Sequence, residues 1–129
     1  MPESALGVLL RNLRERRQFS YRELAQLADL DHAYIYRLET GSKESPSPEA
    51  LQKLNRALKS DKRESDILRF LAEHPDTAPA LATLAVEDSS VTYEEFTAAA
   101  GMAYRGTARP DYRKLLERIR RIAAEDDDG

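Results

Sequence analysis

Apolar residues recur at helical spacing along most of the chain, and this pattern predicts an all-α fold. Leu6, Leu9, Leu10 and Leu13 give the first apolar stripe and predict a helix over residues 4–17. The same spacing predicts further helices over residues 20–28, 32–40, 48–58, 66–74, 92–104 and 111–124, with an Ala- and Leu-rich stretch over 77–85. Alternating apolar and polar positions, which would indicate strands, are scarce.

Residues 19–41 contain the start and stop signals of two short helices joined by a tight turn. Ser20 and Glu23 have the spacing of a capping box, and Asp31 can cap the second helix. Gly41 supplies a residue that tolerates a left-handed conformation at the end of that helix. The second helix has only Ile35 and Leu38 as its apolar face, which leaves a polar face open. Two helices, a turn and an open polar face are typical of the helix-turn-helix motif.

Residues that serve different structural purposes occur together around this motif at characteristic spacings. They are Ser20, Glu23, Leu24 and Ala25, then Ile35, Arg37, Leu38, Glu39 and Gly41, then Pro46, Ser47, Pro48, Leu51 and Leu54. Over roughly residues 6–58 the run resembles the phage-repressor-like family of bacterial helix-turn-helix regulators, the lambda-repressor or XRE type. The resemblance implies a five-helix lambda-repressor-like helix-turn-helix domain. We predict this domain over residues 1–74, followed by a small helical C-terminal domain over 75–129.

The family resemblance also implies roles for individual residues. The positions that face bases are those of His32, Ala33, Tyr34 and Arg37, and the expected phosphate contacts are Tyr21, Thr40, Ser42 and Lys43. An arginine side chain such as that of Arg37 can donate two hydrogen bonds to guanine. In the family, an arginine at the position of Arg14 pairs with the glutamate at that of Glu39. The alternative is that Arg14 is one of four solvated arginines, and Tyr36 either packs on a neighbour or contacts DNA.

The chain has a net charge of −3, but its charged residues are distributed unevenly between the two halves. Residues 1–63 hold 12 Lys and Arg against 9 Asp and Glu, a charge of +3, whereas residues 64–129 hold 8 against 14, a charge of −6. This asymmetry predicts a basic DNA-binding half and an acidic remainder. A non-specific architectural protein would be expected to carry more positive charge on its DNA-binding half.

The residue types present also limit the chemistry. The chain has no cysteine, and its two histidines, His32 and His74, lie far apart, so we predict no metal site and no cofactor. Titratable residues do not converge in a pattern typical of catalysis, so we predict that the protein is not an enzyme. No apolar run has the length of a signal peptide or of a membrane span, which predicts a cytoplasmic, nucleoid-associated protein without membrane contact.

The last predicted helix carries a continuous apolar face that one small domain would not readily cover. We predict this face as the dimer interface; the alternative is that it folds back on Phe96 and Ala99. Its residues are Tyr112, Leu115, Leu116, Ile119 and Ile122. Residues 125–129 are predicted to form a frayed acidic tail.

Together these features predict a homodimeric, sequence-specific repressor that reads an inverted repeat in double-stranded DNA through its third helix. The alternative is an antitoxin that binds its own promoter and wraps a toxin protein. The C-terminal half also resembles, more faintly, repressors that a metallopeptidase cleaves during the DNA-damage response, through Arg105, Gly106, Arg109, Pro110, Tyr112, Arg120 and Ile122. This second resemblance implies a regulatory peptidase as a further partner.

Overall fold

A computed structural model describes residues 4–41, 45–103 and 111–128. These ranges contain eight α-helices and no strand, so the prediction of an all-α fold is confirmed. The helices are α1 (Ala5–Arg16), α2 (Tyr21–Ala28), α3 (His32–Glu39), α4 (Pro48–Leu58), α5 (Lys62–Glu73), α6 (Pro79–Glu87), α7 (Tyr93–Ala103) and α8 (Tyr112–Asp128).

Local capping signals explain where most of these helices begin. Ser4 caps α1 and Ser47 caps α4, with Pro48 at the first helical position, where its missing N–H costs nothing. Thr92 and Glu95 form a capping box at the start of α7, with both hydrogen bonds at 3.0 Å.

Two helix boundaries differ from the sequence prediction by four residues. The fifth helix begins at Lys62 rather than at residue 66, because Asp61 and Glu64 form a further capping box. The last helix continues through Asp128 rather than ending near Ala124, so the predicted frayed tail is wrong over 125–128. No proline or glycine interrupts the sequence between Ala124 and Asp128, and nothing local therefore stops the helix.

One hydrophobic core runs through both halves of the chain. Its buried residues extend from Ala5 in α1 to Leu116 in α8. The most extensive packing between two helices is that of α1 against α6, and α1 also packs against α3 and α5. The predicted division at residue 75 falls between α5 and α6, and the core is continuous across it.

Arg63 adds a polar connection across the same division. Its Nε donates to the carbonyl oxygen of Val91 at 2.6 Å, and one of its terminal nitrogens donates to that of Ala85 at 2.7 Å. The second bond satisfies a carbonyl near the C-terminal end of α6, where the helix itself supplies no partner. One half-buried arginine of α5 therefore fixes the end of α6 and the segment that leads into α7.

The helix α8 packs against α7 and α6 within the same chain. Leu116 is buried in the shared core, while Tyr112, Leu115 and Ile119 are partly buried against it. Ile122 lies at the outer edge and is 47% exposed. The predicted dimer face is therefore largely folded back on its own chain, as the alternative interpretation expected, and Leu116 is not available on the surface.

Candidate nucleic-acid interface

The turn between α2 and α3 is built by side chains that bind free backbone groups. At the start of α2, Ser20 and Glu23 form the predicted capping box, with hydrogen bonds of 3.0 and 3.1 Å. The helix ends where Asp29 adopts a left-handed conformation, with φ at 55°. Asp31 then caps α3 by accepting a hydrogen bond of 2.8 Å from the backbone N–H of Ala33. These contacts set the direction in which α3 leaves the turn.

The two faces of α3 differ as the sequence pattern predicts. Ile35 is fully buried and Leu38 is 1% exposed, so this face belongs to the core. His32 and Arg37 are exposed, and Ala33 and Tyr34 are half-buried. The helix therefore presents a polar surface that begins at its N-terminal end, which is the end that contacts base edges in helix-turn-helix proteins.

Glu39, the last residue of α3, is a buried carboxylate held by arginines of α1. Its oxygens accept from Arg14 Nε at 2.6 Å and from a terminal nitrogen of Arg14 at 3.0 Å. The other terminal nitrogen of Arg14 donates to the carbonyl oxygen of Phe19 at 2.7 Å. Arg11 Nε lies 3.6 Å from the same carboxylate. One guanidinium thus ties α1, the α1–α2 connection and the end of α3 together.

This environment keeps the Arg14 side chain charged. The hydrogen bond to Glu39 and the proximity of its carboxylate raise the pKa of Arg14 above the usual value for arginine, although burial acts in the opposite direction. A bidentate arginine–carboxylate pair combines charge with fixed geometry. The sequence prediction had placed these two residues together, and the structure shows how the pair is made.

A glycine allows α1 and α3 to approach closely enough for this pair to form. A Cβ atom built on Gly7 would lie 2.4 Å from the carbonyl oxygen of Glu39 and 3.1 Å from that of Leu38. Both are backbone atoms, which cannot move aside as the end of a flexible side chain can. Gly7, Arg11 and Arg14 follow one another at spacings of four and three, so they lie on the same side of α1. Sequence reasoning missed Gly7 and Arg11, although this spacing relative to Arg14 was visible.

Aromatic rings support the outer side of the motif. The Arg14 guanidinium lies over the ring of Tyr21, 4.3 Å from its centroid. The rings of Tyr21 and Tyr36 meet edge to face with centroids 5.6 Å apart. The structure therefore gives Tyr21 a packing role in addition to the predicted phosphate contact, and it places Tyr36 against a neighbour while leaving it 53% exposed.

The predicted contact residues at the two ends of α3 are placed differently. His32 is exposed, with its Nδ1 3.9 Å from an Asp31 carboxylate oxygen. The guanidinium of Arg37 lies 5.9 Å from the ring centroid of Tyr34, so it reaches along the exposed side of the helix. Thr40 donates its hydroxyl hydrogen to the carbonyl oxygen of Tyr36 at 2.9 Å, which already uses that donor within the helix. The predicted phosphate contacts Ser42 and Lys43 lie outside the described residues.

The exposed side of α2 adds residues that the sequence prediction did not include. Arg22, Gln26 and Asp29 line an open groove that continues to His32 at the start of α3. Leu27 follows Leu24 at helical spacing, but it is 60% exposed. The reason is that α2 has only eight residues, and Leu24, Ala25 and Ala28 suffice to cover the core side.

The described residues contain no group of three or more His, Cys, Asp or Glu side chains that could hold a metal ion. Across 4–41, 45–103 and 111–128, every helix is too short or too polar to cross a membrane.

The residues from α2 to α3 form a helix-turn-helix motif. Residues 5–68 match a family model described as a helix-turn-helix domain, which covers α1 to α4 and the first part of α5. The match supports a DNA-binding regulator and extends over the part of the chain that carries the Arg14–Glu39 pair and both helices of the motif. Neither the curated proteins nor the solved structures compared with the chain gave a match.

Proposed function

We propose that the protein is a sequence-specific transcriptional repressor of the phage-repressor-like type, which binds an inverted repeat in double-stranded DNA as a homodimer. The observation that carries the proposal is the fixed setting of α3. Its buried face is locked by Ile35, Leu38 and the Arg14–Glu39 pair, while His32 and Arg37 remain exposed. A rigidly held helix with exposed polar side chains suits direct readout in the major groove.

Within this proposal, Arg37 reads a guanine, and His32, Ala33 and Tyr34 contact neighbouring bases. Ala33 offers only a methyl group and therefore suits a thymine methyl. The phosphate contacts come from Tyr21 and from the residues that follow α3, Thr40, Ser42 and Lys43. Since Thr40 already donates to the carbonyl oxygen of Tyr36, its hydroxyl contributes only if that bond is exchanged for one to phosphate.

The homodimer follows from the small size of one recognition surface. A single motif of this kind contacts few base pairs, and two copies on adjacent half-sites multiply the specificity. The antitoxin alternative gains no support, because the described part of the C-terminal half packs into the common core rather than standing apart from it. The residues Arg105, Gly106, Arg109 and Pro110 of the proposed peptidase-sensitive segment lie outside the described residues.

The test is to select genomic fragments with the purified protein and to footprint the fragments that are enriched. The proposal expects a protected inverted repeat whose half-sites are about 10–10.5 base pairs apart, or a multiple of that spacing. Enrichment of a single unrepeated site would contradict the homodimer, and the absence of any enrichment would contradict specific DNA recognition.

A further inference from the structure

The charges of α8 are arranged against the dipole of the helix that carries them. Residues 112–121 hold five basic residues and one acidic residue, whereas residues 122–128 hold four acidic residues and no basic one. Cations are favoured near the C-terminal end of a helix and anions near the N-terminal end, so both ends of α8 have the unfavourable sign. Some other contact would have to offset this arrangement.

The chain's own ion pairs use only part of the basic segment. Arg113 pairs with Glu87 at 3.0 Å, and Arg120 pairs with Glu95 at 2.9 Å, so both side chains are directed towards α6 and α7. Lys114, Arg118 and Arg121 are exposed and form no ion pair with any residue of 4–41, 45–103 or 111–125. Their spacing of four and three places them on one outward stripe of the helix.

An apolar strip runs beside this basic stripe. Leu115 and Ile119 are half-buried, and Ile122 is exposed at the end of the strip. Only three large hydrophobic side chains of the described residues are strongly exposed, and Ile122 is the one that lies in the C-terminal half. The strip and the stripe together form a surface that begins basic and becomes acidic along the helix.

We propose that this surface binds a second copy of itself, with the two α8 helices antiparallel and Ile122 close to the two-fold axis. In this arrangement Arg118, four residues before Ile122, faces the acidic segment of the second copy that begins at Glu125. Antiparallel pairing sets the basic segment of each helix against the acidic segment of the other. Parallel pairing would instead set like charges against each other, which is unfavourable.

The inference rests on the dimeric part of the proposed function and gives it a location. Two-fold symmetry requires the same patch on both copies, and a helix with opposite charges on its two halves is complementary to itself only when antiparallel. The contact spans about two or three helical turns, which is smaller than most stable interfaces. The dimer is therefore reversible in solution and gains strength when both copies occupy adjacent half-sites.

The test measures self-association by sedimentation equilibrium over a range of protein concentrations, without DNA. Each of two double variants reverses the charge of one segment. The first combines Arg118→Glu with Arg121→Glu, and the second combines Glu125→Lys with Asp126→Lys. Each is expected to weaken self-association at least about tenfold, because like charges then meet in the antiparallel pair. The variant that combines all four substitutions restores opposite charges and is expected to associate like the wild type.

Mixing the fourfold variant with the wild type tests whether the two α8 helices are antiparallel or parallel. The fourfold variant and the wild type are not expected to associate with each other in the antiparallel arrangement, since Arg118 of the wild type would then face a segment that the substitutions have made basic. In a parallel arrangement they would associate better than either does alone. High salt is expected to weaken the wild-type dimer, because the charged side chains are exposed.

A further pair of variants tests whether the apolar strip of α8 contributes to self-association. Ile122→Asp is expected to leave the protein monomeric, whereas Leu27→Asp, at the exposed leucine of α2, is expected to leave the association constant unchanged. Helical circular dichroism spectra equal to that of the wild type would show that each variant is folded.

The proposal is overturned if the wild type is monomeric at every concentration, if the folded fourfold variant stays as dissociated as the double variants, or if the fourfold variant pairs with the wild type. If the basic stripe binds DNA phosphates instead, all these variants would self-associate as the wild type does. The variant with Arg118→Glu and Arg121→Glu would then bind DNA more weakly than the wild type. Because the measurement contains no DNA, failure of the pairing is distinguished from failure of DNA recognition.

Discussion

Glu39 shows how one buried charge can fix the position of a helix whose other face is exposed. Its side chain has no exposed surface, and Arg14 supplies two of the hydrogen bonds that such a carboxylate needs. A buried pair of this kind adds little net stability compared with an apolar replacement, but the loss of one partner is costly. The value of the pair lies in where it places the end of α3.

The first prediction follows from that asymmetry. Arg14→Met is expected to lower the free energy of unfolding by about 3–5 kcal/mol, because it leaves the Glu39 carboxylate buried with only Arg11 nearby. Arg14→Met combined with Glu39→Met removes both charges and is expected to cost less than Arg14→Met alone. Urea unfolding followed by circular dichroism measures both values. A double variant less stable than Arg14→Met would contradict this account of the pair.

The second prediction compares two glycines in helices. Gly7→Ala is expected to destabilise the protein by about 1–3 kcal/mol, since its methyl group would overlap the backbone of Glu39. Gly101→Ala is the matched control: a Cβ atom there meets nothing within 4 Å, and the change is expected to stabilise α7 by about 0.5–1 kcal/mol. Thermal unfolding of both variants checks the prediction. Equal effects at the two positions would refute the close approach of α1 and α3.

The third prediction concerns readout of the DNA sequence. Arg37→Ala is expected to weaken binding to the selected site by about 1–3 kcal/mol and to relax the preference at one base pair. Arg69→Ala removes the same charge from the exposed side of α5 and is expected to change affinity little. Fluorescence anisotropy with the selected site and with random DNA measures both. An Arg37→Ala variant that lost affinity equally for both DNAs would show that Arg37 contacts phosphate rather than a base.

At the scale of elements, the sequence carried enough information to predict helix starts. The capping signals at Ser20, Asp31, Ser47 and Thr92 act on neighbouring backbone groups, so they work without tertiary structure. The start of α5 was missed although Asp61 and Glu64 have the same spacing, because the large apolar residues of this helix begin only at Ile67. The position of α8 depended on packing against α6 and α7, which no local signal could reveal.

The contact between α7 and α8 gives the fourth prediction, on pH. Hydrogen bonds from Arg120 lower the pKa of Glu95 below its ordinary value of 4.5, with further contributions from Thr92. A lowered carboxyl pKa contributes stability that is present above pH 4.5 and is lost as the pH falls through the lowered value. Arg120→Gln is therefore expected to lower stability slightly near neutral pH and to reduce its dependence on pH below 4.5.

Urea unfolding at several pH values between 2 and 7 measures this dependence. Arg56→Gln, at an exposed arginine of α4, is the control and is expected to keep the wild-type profile. The remaining acid sensitivity in Arg120→Gln comes from other carboxyls, among them Asp88, whose pKa is lowered chiefly by the hydroxyl of Ser90. An unchanged profile in Arg120→Gln would show that its pair with Glu95 does not contribute to stability.

At the scale of the whole molecule, the helix-turn-helix motif and the C-terminal helices share one core. The sequence allowed the motif to be predicted because its signals lie within about twenty neighbouring residues. It did not reveal the packing of α1 against α6, because these helices lie far apart in sequence and apolar stripes do not specify which helix they meet. The proposed contact residues were named through family resemblance, and the geometry of Thr40 shows where resemblance alone is insufficient.

The fifth prediction tests this shared core. The fragment 1–74 lacks α6, which covers one side of α1, and it is therefore expected to lose several kcal/mol of stability or its cooperative unfolding altogether. Leu81→Ala in the full chain is the milder change and is expected to cost about 2–5 kcal/mol, because Leu81 is 1% exposed. Unfolding measured separately by circular dichroism and tyrosine fluorescence is expected to give one common transition. Two separate transitions would show that the halves fold independently.

The position of α1 between α3 and α6 has a consequence for how the protein tolerates change. Among the residues of this helix only Glu15 and Arg16 are exposed, and Arg16 is itself paired with Glu64. In a library of random single substitutions scored for retained DNA binding, α1 would therefore show the fewest accepted replacements. Within the DNA-binding half, the segment that tolerates the fewest substitutions would therefore be α1, a helix that does not contact bases in the proposed mode of binding.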